Sequence, residues 1–222
     1  MNTITRAFKR VYDASGDPPI ADYRRKDVGA LIKSLLDTGL KTATISRELG
    51  VVRTAIGELL VAHELTLSVS NPFTDLKIPK LRQGAKKRTV YKVAQLVKVR
   101  EFVSLKDCAT TNAIGLLLDT GARLSEVIGL RCEDVILGVS VPYVVIIENK
   151  KRCLKTAHST RKVPLVGYAL VAAKRALAAN PSGYLFPSYL KKEKVANGPA
   201  SNILSKALKK LDCPTAQSLR HT

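Results

Sequence analysis

The run Tyr143-Val144-Val145-Ile146-Ile147 is the stretch of this chain that reads most plainly as a buried strand. It is β-branched after its first residue, and Pro142 and Asn149 bound it. Val163-Pro164-Leu165 is placed to be its partner, with a basic loop between them. The rest of the sequence is written in helical periods. The expected fold class is therefore mainly α with a small antiparallel β-sheet.

Val28, Leu31, Ile32, Leu35 and Leu36 keep the i, i+3, i+4 rhythm of one helix face, and Gly39 ends it. A second stripe, Ile45, Leu49, Val52, Ile56, Leu59, Leu60 and His63, steps by three and four across Gly50. Two readings fit it. One is a single long helix in which Gly50 costs about 1 kcal/mol. The other is a helix-turn-helix in which Gly50 turns the chain and residues 53–60 form the recognition helix. Asn71-Pro72 and Ile78-Pro79-Lys80 then break the periodicity, and Gln83-Gly84-Ala85-Lys86-Lys87-Arg88 is polar and basic. A domain boundary is expected there, dividing residues 1–82 from residues 83–222. Helical patterns resume at residues 93–103, 113–118, 124–130, 169–179 and 202–211.

The 222 residues carry a formal net charge of +19, with a pI near 10.0. Such a field draws polyanions, of which nucleic acid is the commonest. Residues 1–82 hold 13 Lys and Arg against 9 Asp and Glu, and residues 83–222 hold 24 against 9. The second part is thus the main electrostatic footprint. Cys108, Cys132, Cys153 and Cys213 form no C-x-x-C pair, and only 3 histidines occur. Neither a zinc site nor a disulfide framework is implied, and a reduced, cytoplasmic compartment is the simpler reading. No apolar run approaches the ~20 residues that span a bilayer, and no signal-peptide pattern opens the chain. No membrane partner is expected.

Arg123 follows Thr120-Gly121 at the mouth of a short helix. Glu126 comes three residues later, so both side chains share a face. An arginine fork at a helix start is suited to gripping two phosphate oxygens; the plainer reading is a surface Arg–Glu pair. Lys150, Lys151, Arg152, Lys155, Arg161 and Lys162 gather around the strand-to-strand loop. Such a cluster reads as a solvated patch or one that contacts a nucleic-acid backbone.

Taken in order, four pieces resemble the motifs of the tyrosine recombinases, the phage-integrase family. They are Thr120-Gly121-Ala122-Arg123-Leu124-Ser125-Glu126; Leu130-Arg131; Lys155-Thr156 ahead of Arg161-Lys162-Val163-Pro164-Leu165; and Ser218-Leu219-Arg220-His221-Thr222. Thr44-Ile45-Ser46-Arg47-Glu48-Leu49 and Asn71-Pro72-Phe73 are similar to the core-binding domain of that family. The resemblance implies a helical, SAM-like core-binding domain over residues 1–82, followed by an α+β catalytic domain over residues 83–222. It implies double-stranded DNA as the partner and strand transfer through a 3′-phosphotyrosyl link, with no metal or other cofactor. Arg123 and Arg220 would clamp the non-bridging oxygens as charge builds on phosphorus. Lys155 would protonate the leaving 5′ oxygen, and Glu126 would support the first arginine. Arg47, Arg53, Lys86, Lys87 and Arg88 are the candidate DNA contacts outside the pocket. In the family four protomers act on two duplexes, so a homo-oligomer on DNA is implied.

The family's second motif usually reads H-x-x-R, and here Gln217 stands at the histidine's position. An amide donates a hydrogen bond to a phosphate oxygen but exchanges no proton at neutral pH. His221 is expected to be a packed, supporting residue. The family's nucleophilic tyrosine follows the second arginine. Here Tyr12, Tyr23, Tyr91, Tyr143, Tyr168, Tyr184 and Tyr189 all precede it. The expectation is a chain that lacks the tyrosine segment and binds DNA without cutting it. Two other classes compete. A helix-turn-helix regulator leaves the ordered Arg123, Lys155 and Arg220 motifs unexplained. A basic RNA-binding protein is disfavoured by an aromatic content of 5% and the absence of tryptophan.

Overall fold

Gly50 lies inside a helix, not at a turn. In the computed structural model of the chain, α3 runs unbroken over Thr42–Ala62. This overturns the helix-turn-helix reading, because no turn separates a first helix from a recognition helix. A Cβ at Gly50 would meet nothing within 4 Å, so the glycine costs propensity alone, and burial of the stripe offsets it. The structure describes residues 3–16, 18–79, 89–153, 159–192 and 194–221. Lys86, Lys87, Arg88, Lys155, Thr156 and the side chain of His221 lie outside the described residues.

The chain divides into two units, Met1–Lys86 and Lys87–Thr222. The sequence places the boundary near residue 82, and both positions fall outside the described residues. In the first unit, α1 (Thr3–Ser15), α2 (Arg25–Asp37) and α3 pack around Val11, Val28, Leu31, Ile45, Leu49, Val52 and Ile56, with Phe73 closing the core. Two members of the expected stripe do not join it. Leu59, at the stripe's edge, is 54% exposed, and His63, just past the helix end, faces solvent. Glu48 is buried on α3 and held from α1 by Arg6 at 3.1 Å and by Arg10. Without those partners a buried carboxylate would be costly. Asn71 earns its place in Asn71-Pro72-Phe73 through its side chain. Its Oδ1 accepts from Phe73 N at 3.0 Å, and its Nδ2 donates to Arg53 O at 2.9 Å.

In the second unit, α4 (Val93–Leu105), α5 (Ala109–Thr120), α6 (Leu124–Ile128), α7 (Gly167–Ala179) and α8 (Asn197–Lys209) surround a sheet of three short strands. Its order is β1 (Val135–Ile136), β2 (Tyr143–Ile146), β3 (Arg161–Pro164), all antiparallel. The partner strand is the expected one, displaced toward Arg161: Ile146 pairs with Arg161 and Tyr143 with Pro164. Pro164 is tolerated because β3 is an edge. β1 is too short to leave a period in the sequence.

α5 is the axis of this unit, and residues 111–117 are all buried. Its contact with α7 is made of small residues: a Cβ on Gly115 would sit 2.8 Å from Ala172 Cβ of α7, and 3.0 Å from Val103 Cγ1 of α4 on the other side. The Asp119 carboxylate, near the end of α5, accepts from Tyr168 N at 2.8 Å and Ala169 N at 3.3 Å, capping α7. These contacts fix where α5 ends, and so where Arg123 begins. α8 starts five residues earlier than its apolar pattern suggests, with Gly198 and Pro199 in its first turn, where a missing N–H costs little.

Candidate active site

Gly121 ends α5 in the left-handed region, at φ 60°, a conformation that favours glycine. Ala122 is buried beneath, and Arg123 becomes the residue that caps α6. Glu126, three residues on, reaches back so that its Oε2 accepts from Arg123 N at 2.7 Å. Its Oε1 accepts from Arg123 Nη1 at 2.6 Å. The plain surface pair is thereby overturned, since Glu126 is only 2% exposed and its carboxylate is the anchor of the site. Burial alone would push that carboxyl up. Hydrogen bonds from Arg161 and Arg123 outweigh burial and hold it down at about 2. Among the described residues, Nη1 of Arg123 is the guanidinium nitrogen that is engaged, by Glu126 and by Ser159 Oγ at 3.3 Å.

The second motif lies on a 3₁₀ helix, Ala216–His221. Three residues per turn bring Gln217 and Arg220 to the same face, and both are exposed while Ala216, Ser218 and Leu219 are buried. The segment leading in is fastened by α4 and the residues before it. Tyr91 Oη donates to Pro214 O at 2.8 Å, and Gln95 Nε2 donates to Asp212 O at 2.8 Å. Arg123, Ser125, Gln217 and Arg220 thus line one cleft of ≈ 490 Å³, floored by Leu117 and Ala122. Asn197 and Ser201, at the start of α8, complete its polar wall. The sequence reading missed these two, because a lone amide and a lone hydroxyl carry no motif.

The six-cation cluster is not one solvated patch. Arg152 is 1% exposed. Its Nη1 donates to Glu126 O at 2.7 Å, its Nε donates to Ile147 O at 3.1 Å, and Asp134 lies 3.8 Å away. Burial pushes this guanidinium down, with Asp134 opposing. Arg152 is a structural staple between α6 and the strand loop. Arg161 stands on β3 and donates to Glu126 Oε2 at 2.8 Å. Lys151 Nζ donates to the carbonyls of Lys191 and Lys192. Lys150 and Lys162 do face solvent.

The five tyrosines of the second unit lie away from the cleft. Tyr91 is buried on Pro214, Tyr189 is buried and hydrogen-bonded to Thr110 Oγ1 at 2.9 Å, and Tyr143 lies under Lys162 Nζ at 4.9 Å. Tyr168 lies under Arg100, and the backbone of Tyr184 pairs with that of Arg131. Burial pushes Tyr91 and Tyr189 up. In the first unit, Arg47 and Arg53 are exposed and line one open face of α3 together with Val51 and Thr54.

The model of the phage integrase family matches residues 89–222. The chain belongs to that family. A curated relative, the tyrosine recombinase XerC of Herpetosiphon aurantiacus, is 29% identical over 158 residues. That alignment takes in 69% of this chain and 47% of XerC, so the chain spans about half the length of the relative it matches. Two solved integrases share the fold. The integrase of transposon Tn1549, bound to transposon right-end DNA, superposes with a TM-score of 0.72 at 19% identity, over 98% of this chain and 77% of the other. A lambda integrase dimer on a core site gives 0.69 at 15% identity, over 98% and 61%. Among the described residues of this family member, no group of three or more His, Cys, Asp or Glu is arranged to hold a metal ion, and no helix is long and apolar enough to cross a membrane.

Proposed function

We propose that this chain is the duplex-binding and phosphate-gripping part of a tyrosine-type site-specific DNA recombinase. The observation that carries the reading is the shared cleft: Arg123, Gln217 and Arg220 come from two distant motifs and line one pocket. Two guanidinium groups and an amide there suit the two non-bridging oxygens of a phosphodiester. Their attraction grows as phosphorus gathers charge, which is what lowers a barrier. Gln217 contributes a hydrogen bond and no proton. Lys155 is the proposed general acid for the leaving 5′ oxygen, and His221 the proposed support behind Arg220. Arg47, Arg53, Lys86, Lys87 and Arg88 are the proposed contacts to the duplex flanks.

In this reading residues 1–82 are the core-binding domain and residues 83–222 the catalytic one. The likeness to integrases solved on DNA supports a double-stranded partner. Lambda integrase solved as a tetramer on a Holliday junction supports a homo-oligomeric working state. The host cytoplasm is the proposed location. With the tyrosines of the second unit engaged elsewhere, residues 1–222 by themselves bind DNA without cleaving it, because covalent transfer needs a nucleophile in line with the leaving oxygen.

The test is binding and cleavage on one nicked suicide duplex. Affinity for duplex should fall steeply with salt, by about 0.9 in log–log slope for each phosphate neutralised. A denaturing gel should show no protein–DNA adduct. A flat salt response overturns the DNA-binding reading, and a covalent adduct overturns the assignment of the tyrosines.

A further inference from the structure

Glu126 carries two arginines on one carboxylate. Its Oε1 accepts from Arg123 Nη1 at 2.6 Å and Arg161 Nη1 at 3.4 Å. Its Oε2 accepts from Arg123 N at 2.7 Å and Arg161 Nη2 at 2.8 Å. Arg161 thus straddles both oxygens with its fork. It also donates from Nη1 to Ser159 O at 3.0 Å, and the hydroxyl of that same serine accepts from Arg123 Nη1 at 3.3 Å. Both residues that accept from Nη1 of Arg123 are therefore also bonded to Arg161, Glu126 through its carboxylate and Ser159 through its main-chain carbonyl. β3 holds Arg161 in turn, through its pairing with Ile146.

The charge count matters as much as the geometry. One arginine on one buried carboxylate is a closed ion pair with no net charge left for a third group. Two arginines on it leave a net positive charge. The side chain of Arg123 is 32% exposed and that of Arg161 34%, against 2% for Glu126. The surplus charge therefore faces outward.

We propose that Arg161 is a positioning residue for Arg123. By sharing the Glu126 carboxylate, it fixes the orientation of the Arg123 guanidinium and leaves the group one net positive charge with which to meet a phosphate. A lysine in its place keeps the charge but cannot span two oxygens, because it offers a point donor and not a planar fork. The orientation half of the proposal stands on the geometry alone; the phosphate half rests on the proposed function.

The test uses the whole chain and follows the arginine side-chain resonances by NMR, assigned with Arg123→Lys. Without ligand, rotation of the Arg123 guanidinium about its Nε–Cζ bond should speed up about tenfold in Arg161→Gln, as expected when a charge-assisted bond is lost. Arg161→Lys should recover only part of that. Should the glutamine variant not fold, the lysine variant carries the same comparison. Unchanged Arg123 rotation in a folded variant overturns the positioning role. Inorganic phosphate is then titrated into each protein. Affinity read at Arg123 should fall about tenfold in Arg161→Gln and less in Arg161→Lys. Equal affinity in all three overturns the charge half. Phosphate that leaves Arg123 of the unaltered chain untouched overturns the proposed function, while faster rotation in the variants still upholds the positioning role.

Discussion

The phenol of Tyr91 donates to the main-chain carbonyl of Pro214 at 2.8 Å. One hydrogen bond thereby ties the first described residues of the second unit to the segment that delivers Gln217 and Arg220. Tyr91 is 6% exposed, so little water reaches its ring to replace the bond. Tyr91→Phe should cost roughly 1–2 kcal/mol, read as a lower denaturant midpoint with an unchanged slope.

Acid should find Glu126. Its carboxyl is held at about 2 in the folded chain, below its ordinary value of 4.5. A depressed carboxyl contributes stability that is fully present above the unfolded value. That stability is lost as pH falls toward the folded one. The expected window runs from 4.5 down to about 2, with a contribution on the order of 3 kcal/mol. Urea titrations across that range should show stability falling as acid is added, and Glu126→Gln should flatten the slope.

Arg152 and Lys150 should part company although only Lys151 lies between them. Arg152→Met leaves the carbonyls of Glu126 and Ile147 without their donor and should cost on the order of 3 kcal/mol. Lys150 is exposed, and Lys150→Ala should change stability by less than about 0.5 kcal/mol. Paired thermal melts check both.

Gly115→Ala should strain the contact between α5 and α7, because the added methyl would lie 2.8 Å from Ala172 Cβ. Overpacking of this kind costs about 1–3 kcal/mol, against the gain in helix propensity that alanine normally brings. A fall in the melting temperature is expected. A rise would mean that the two helices separate freely.

The secondary elements were largely legible from periodicity, since Val28 to Leu35 and Tyr143 to Ile146 are patterned by the faces they bury; Ile147, the last residue of the expected strand, lies past β2 and is exposed. The continuity of α3 was not, because the apolar spacing around Gly50 fits a turn and a helix equally well. Only packing against α1 and α2 decides between them. The motif arginines were legible because each sits in a fixed local frame, Gly121 before Arg123 and Leu219 before Arg220. Arg152 and Arg161 were not separable from their lysine neighbours. A run of cations has the same composition whether a member faces solvent or staples a buried carbonyl, and the difference lies in the β2–β3 register. Asn197 and Ser201 reach the cleft only through the path of α8, which no local pattern announces.

Two motifs far apart in sequence are expected to grip one phosphate. The most direct measurement is a crystal structure of the chain on a duplex. The guanidinium groups of Arg123 and Arg220 are predicted to donate to the non-bridging oxygens of the same phosphate, with Gln217 beside them. Arginines bound to different phosphates, or Arg220 turned out of the cleft, would contradict it.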